Sequence, residues 1–123
     1  MILAFKKEFV PKIKSGTKIH TIRRDKKREA RAGTELELTH RERIFCNKTC
    51  KGTQRVFMTC ESEDCLTISI DGRRISHKEQ EDLAINSGFN CYDTFYVWFI
   101  TKIELNEDEV YSGRIIHWTD KRY

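Results

Sequence analysis

A single proline occurs in 123 residues, and no stretch is dominated by one or two residue types. Those scarcities exclude a proline-rich or low-complexity disordered chain. Long apolar runs are missing too: nothing approaches the roughly 18 consecutive apolar residues of a membrane-spanning helix, so no membrane partner is expected. The opening Met1-Ile2-Leu3-Ala4-Phe5-Lys6-Lys7 is a short apolar strand followed by charge, without the longer apolar region of a secretory signal. The expected location is cytoplasmic.

Cysteine is present in an odd number, five, which argues against a complete disulfide framework. Cys46 and Cys50, with Cys60 and Cys65, offer four thiols at gaps of about two to four residues, which tetrahedral zinc tolerates. The segment between the pairs, Gln54 to Thr59, reads as a strand instead of a zinc knuckle. Free thiols are therefore expected, with Cys91 packed in a core. The histidines His20, His40, His77 and His117 stand at no metal-ligand spacing. No metal and no cofactor are expected.

What is present suffices for a folded domain. Hydrophobic residues make up 38% and aromatics 11%, and a chain of this length buries a core without staples, so residues 1–123 read as one domain. Charge is unevenly spread. Residues 1–32 hold eleven Lys or Arg against three acids, a net +8, which leaves −4 for the remainder of a chain whose total is +4. Such asymmetry points to a polyanionic partner, RNA or a nucleotide, with a solvated basic face as the plainer alternative. Phosphate contacts are expected from the Lys26-Lys27-Arg28 arm.

Periodicity gives an α+β reading. Residues 2–5 form a strand, and 8–15 a short helix that tolerates Pro11 near its start and ends at Gly16. Residues 18–24 alternate as a strand with Thr21 and Arg23 on one face, and His20 and Ile22 on the other. Further strands are expected at 34–39, 54–60, 65–70 and 113–118, with turns at Ala32-Gly33 and Asp71-Gly72. Ser76 with Glu79 makes a capping box for a helix over 77–86, which Asn86-Ser87-Gly88 terminates. Asn90 is expected to start another helix, whose Phe95, Trp98 and Phe99 form a stripe read as core. Short strands with two late helices imply a small barrel with helices packed at one side.

The densest cluster of reactive side chains is Lys14-Ser15-Gly16-Thr17-Lys18-Ile19-His20-Thr21-Ile22-Arg23-Arg24. A threonine hydroxyl becomes a nucleophile when a base takes its proton, and a lysine serves if burial or nearby cations lower its pKa. Lys14, Arg23 and Arg24 are the candidate cations. In a regular strand Lys18 and Thr21 would point to opposite faces, so they converge only if Lys18 precedes the strand. Without further context, the plain readings are a solvated lysine and a β-branched strand residue.

Gly16-x-Lys18-x-x-Thr21-x-Arg23, followed by Ala32-Gly33-Thr34-Glu35-Leu36, Asp82 to Phe89 and Ile115-Ile116-His117-Trp118-Thr119, resembles the ASCH domain family of the PUA-like superfamily. The resemblance spans nearly the whole chain and implies a small PUA-like β-barrel with a cleft between barrel and helices. It also implies a role with RNA or modified nucleosides. One branch is similar to small amidohydrolases that deacetylate N4-acetylcytidine. By that likeness Lys18 and Thr21 are the catalytic pair, and Arg23 an anion or base contact. The family's acidic partner corresponds to Ser87, and a serine cannot replace a carboxylate as proton acceptor; Glu81, Asp82 and Asp93 are the substitutes at hand. The expected function is RNA or nucleotide binding through Lys14, Arg23, Arg24, Lys26 and Ser87. The alternatives are hydrolysis of an acylated nucleoside or of RNA, and, without a specific motif, a protein contact through Glu104 to Glu109.

Overall fold

Eight strands and three α-helices make up the computed structural model, which describes residues 1–25, 28–62 and 65–123. In chain order they are β1 (Ile2–Ala4), α1 (Val10–Ser15), β2 (His20–Arg24), β3 (Glu35–His40), β4 (Arg43–Thr49), β5 (Gly52–Ser62), β6 (Cys65–Ile70), β7 (Arg73–Arg74), α2 (His77–Asn86), α3 (Tyr92–Glu104) and β8 (Tyr111–His117). The architecture is α+β, with two sheets. One is three-stranded, in the order β1-β3-β4; the other is five-stranded, in the order β2-β8-β5-β6-β7. Among the described residues, no helix is long and apolar enough to cross a membrane. Lys26, Lys27 and the acidic tip residues Glu63 and Asp64 lie outside the described residues.

Local chemistry accounts for most element ends. Pro11 sits in the first turn of α1, where its missing N–H costs nothing, and Gly16 ends the helix at φ 84°. Ser76 Oγ accepts from the Glu79 backbone N–H while the Glu79 side chain accepts from the Ser76 backbone N–H. This reciprocal pair fixes the start of α2. Helix α3 is preceded by Cys91, not Asn90, because the Asn90 side-chain oxygen is taken by the amine of Lys12. Cys91 is exposed, and the thiol held in the core is Cys50 instead. Strand β4 has no counterpart in the sequence reading. Its residues are mostly exposed, and its hairpin turns through Arg41 and Glu42, both at positive φ without a glycine.

Two clusters of buried side chains hold the domain. Phe95, Phe99 and Ile103 recur every four residues along α3 and pack on Met58, Ile68 and Ile115 of the five-stranded sheet. Each such burial contributes roughly 1.5–3 kcal/mol. The second cluster joins Phe9 and Ile13 to Leu36, Leu38 and Trp118 around the three-stranded sheet. Phe89 and Trp98 pack against both clusters. The sheets themselves present edge strands, β1 and β2, to one another: each has a single strand neighbour, and Arg23 Nη2 spans the gap to the carbonyl of Ala4 at 2.7 Å.

Candidate functional site: a cationic, aromatic cavity between two sheet edges

The gap between β1 and β2 opens into a cavity of about 290 Å³. Its walls come from Phe5 and Lys6 after β1, from Lys18 and Thr21 to Arg24, from Ser87 and Phe89 past α2, and from Trp98 and Lys102 on α3. Lys18, Thr21, Arg23, Arg24 and Ser87 are thus brought to one place. Lys14 is exposed on α1 and does not line the cavity. Lys26 falls outside the described residues.

The convergence of Lys18 with Thr21 has a simple cause. Strand β2 begins at His20, so Lys18 lies in the irregular segment before it and escapes the strict alternation of the strand. That segment is held by the end of α2, whose last carbonyls need partners. The Ile19 backbone N–H donates to Asn86 O at 3.0 Å, Lys18 Nζ to Ser87 O at 2.5 Å, and Lys12 Nζ to Gly88 O at 2.7 Å. Gly88, at φ 97°, permits the approach: a Cβ there would stand 2.9 Å from both Lys18 Cδ and Phe9 Cδ1. The stem of Lys18 therefore lies against glycine, and its amine reaches the cavity wall.

Five cations line the cavity, Lys6, Lys18, Arg23, Arg24 and Lys102. None forms a salt bridge with a described residue, and no described Asp or Glu lines the cavity. Aromatic faces take the place of counterions. Lys6 and Lys102 stand 4.5 and 5.1 Å from the Trp98 ring, and Lys18 5.0 Å from Phe9. Arg23 stacks 4.8 Å from Phe5 and Arg24 5.0 Å from Tyr111. A ring supports a cation without neutralising it, so the positive charge stays available to an incoming anion.

Burial is the main cause of the shifted ionisations. It holds the Lys18 amine well below the ordinary lysine pKa, and the charges of Arg23 and Lys12 push the same way. Burial also lowers Arg23 and lifts the Tyr111 hydroxyl to about 12. Thr21 Oγ1 accepts from Arg23 Nε at 3.3 Å, which leaves the threonine proton free for another acceptor. Ser87 Oγ is buried and has no hydrogen-bond partner among the described residues, a costly condition.

Of the three candidate carboxylates, Glu81 pairs with His77 and Asp82 with Lys78. Asp93 lies in a separate depression that Lys6, Trp98 and Lys102 also line. None of the three reaches the cavity. Among the described residues, no three or more His, Cys, Asp or Glu side chains cluster as a metal site would need.

Sequence reasoning missed several walls. Trp98, read as core, is half-buried and stands at the junction of the two buried clusters with its ring toward two lysines. Its signal was legible: Lys102 follows it by four residues, which places a cation directly over an aromatic stripe on one helix face. Phe9 and Phe89, with ring centroids 5.5 Å apart, carry no sequence signal that separates wall from core.

Behind Thr21, on the opposite face of β2, His20 is fully buried and aligned across the sheet with His117. Their rings stand edge to face at 5.4 Å. His20 Nε2 shares a hydrogen bond of 2.6 Å with the Tyr123 hydroxyl, which also accepts from Asn86 Nδ2. Burial lowers both imidazoles, with the Lys18 charge as the next cause at His20; His117 falls to about 4. These are packing groups beneath the site, not part of its wall.

No protein-family model, no curated protein and no solved structure matches this chain.

Proposed function

We propose that this chain is an ASCH-like, PUA-like domain that binds RNA or a nucleotide in the cavity between β1 and β2. The observation that carries the reading is a wall of five cations, aromatic rings and no described acid. Phosphate seeks the cations, and a base seeks the rings, by stacking and by contact with arginine planes. A volume of about 290 Å³ sits near the lower bound of small-ligand sites, roughly 300 Å³, and suits one nucleotide unit. Two sheets whose edges meet across the cavity also fit a small barrel opened along that seam.

The test is a titration with nucleoside monophosphates and with a short single-stranded oligoribonucleotide at two salt concentrations. Binding is expected to weaken as salt rises, by a slope of about −0.7 in log K against log salt for each phosphate held. Affinity independent of salt contradicts the reading.

A second reading rests on a separate observation. Lys18 and Thr21 share the cavity, the lysine with its pKa lowered by burial and the threonine hydroxyl accepting from Arg23. An amine whose pKa burial lowers, beside a hydroxyl polarised by a guanidinium, is the kind of base that takes such a proton and makes a nucleophile. Incubation with N4-acetylcytidine tests this: turnover by the wild type that Thr21→Val abolishes supports hydrolysis, and no turnover leaves binding as the function.

A further inference from the structure

The seam between β1 and β2 does not end at Arg23. On the other side of that bridge lies a second cleft of about 240 Å³. Its walls include Ile2 and Leu3 of β1, Arg28 and Ala30 beyond β2, and Arg114 and Ile116 of β8. Arg23 and Arg24 line both spaces. They form a shared cationic partition, with Arg23 tied to Ala4 O at 2.7 Å and Arg24 to Asn106 Oδ1 at 3.1 Å.

The charge of the second cleft favours an anion as well. Its one described carboxylate, Glu29, is held by Arg114 Nε at 2.6 Å, so that pair cancels. Arg28 is exposed and forms no salt bridge with a described residue, which leaves Arg23, Arg24 and Arg28 unneutralised. Beneath them is an apolar floor of Leu3, Ala30 and Ile116, all buried.

Resting on the reading of the first cavity as a nucleotide site, we propose that the ligand is a nucleotide within a single strand of RNA, with the adjoining nucleotide seated in the second cleft. One base sits among the rings of the first cavity. The phosphodiester joining it to its neighbour lies against the Arg23–Arg24 partition. The neighbouring sugar and base cover the apolar floor, and the next phosphate meets Arg28. A free mononucleotide fills only the first space and leaves the second set of cations unused. A charged groove with stacking surfaces along its length is the general solution for holding single strands.

The experiment compares the four ribonucleoside 5′-monophosphates with a mixed-sequence tetraribonucleotide, on the wild type and on Arg28→Ala and Ile2→Glu. Both positions are exposed, so neither change threatens the core. The tetranucleotide is expected to bind at least about tenfold tighter than the best monophosphate. Arg28→Ala should weaken it by roughly three- to tenfold and reduce the salt slope by about 0.7, the loss of one phosphate contact. Ile2→Glu should weaken it similarly, and neither variant should alter monophosphate binding. Equal affinity for monophosphate and tetranucleotide overturns the second cleft while the first cavity stands. So does a tetranucleotide affinity that neither variant changes. If neither probe binds the wild type, the first cavity's reading fails and takes this one with it.

Discussion

Lys18 Nζ donates to the backbone carbonyl of Ser87 at 2.5 Å, joining the segment before β2 to the end of α2. The same contact fixes Lys18 at the wall of the cavity; among the described residues the buried Ser87 hydroxyl has no partner. Lys18 thus has a structural role and, on the proposed function, a ligand-binding one. Burying a cation without a carboxylate is unfavourable, and the fold tolerates it because a helix C-terminus offers its negative end.

Replacing that side chain should separate the two roles. Lys18→Met keeps the stem that packs on Gly88 and removes the amine. Folding stability at pH 7 is expected to rise by roughly 0.5–2 kcal/mol, the common gain when a strained functional group is removed, while ligand binding weakens at least about tenfold, the loss of one charge-assisted contact. The pH dependence fixes the sign. The native pKa of Lys18 lies below its unfolded value, so the unfolded chain holds more protons between the two, and the cost of burial shrinks as pH rises through that window. The advantage of Lys18→Met over the wild type should therefore narrow toward pH 10, read by thermal or urea unfolding of both proteins.

Gly88→Ala should damage the site through the backbone. The new Cβ meets Lys18 Cδ and Phe9 Cδ1 at 2.9 Å, at a residue whose φ is 97°. Left-handed backbone alone costs an alanine about 1–2 kcal/mol, and the clash adds to it. The expected result is a loss of about 2–3 kcal/mol on unfolding together with weaker binding. A variant as stable as the wild type with unchanged affinity would contradict the packing described.

The two imidazoles beneath the site should make the domain acid-sensitive. His117 falls to about 4 and His20 is lowered as well, against an unfolded value near 6.5. With native pKa values below unfolded ones, the unfolded chain gains protons first as pH falls, so stability drops between about pH 6.5 and 4. For His117 the expected loss is on the order of 1–2 kcal/mol by pH 5, and His20 adds to it in the same direction. Proton NMR of the ring signals should place the His117 midpoint near 4, and His117→Gln should flatten the stability profile in that range.

How much of this was legible in the sequence differs by element. Ser76 with Glu79 and the Gly16 stop are written in local chemistry, and both helix ends stand where those residues set them. The α+β class followed from the same periodicities. Strand β4 was not legible, because it exists through pairing with β3 and turns at Arg41 and Glu42, residues that ordinarily avoid positive φ. Lys18 and Thr21 could be placed together only once the start of β2 was known. Phe9, Phe89 and Lys6 reach the same cavity by tertiary packing alone, which no local pattern encodes. The alignment of His20 with His117 is likewise a matter of register between β2 and β8.

Trp98 offers an internal reporter. It lines the cavity, whereas the other tryptophan, Trp118, is buried in the second cluster. A bound base should quench Trp98 fluorescence, and Trp98→Leu should cost binding about 1–3 kcal/mol, the value of one stacked base.

On the proposed function, Arg23 and Lys18 hold anionic nucleotide groups in the space between β1 and β2. Fluorescence titration of the wild type, Lys18→Met and Arg23→Ala with a short single-stranded oligoribonucleotide tests it most directly. Saturable quenching by the wild type, weakened at least tenfold in both variants while each remains folded, is the predicted result. Equal binding by all three proteins, or no binding by the wild type, would contradict it.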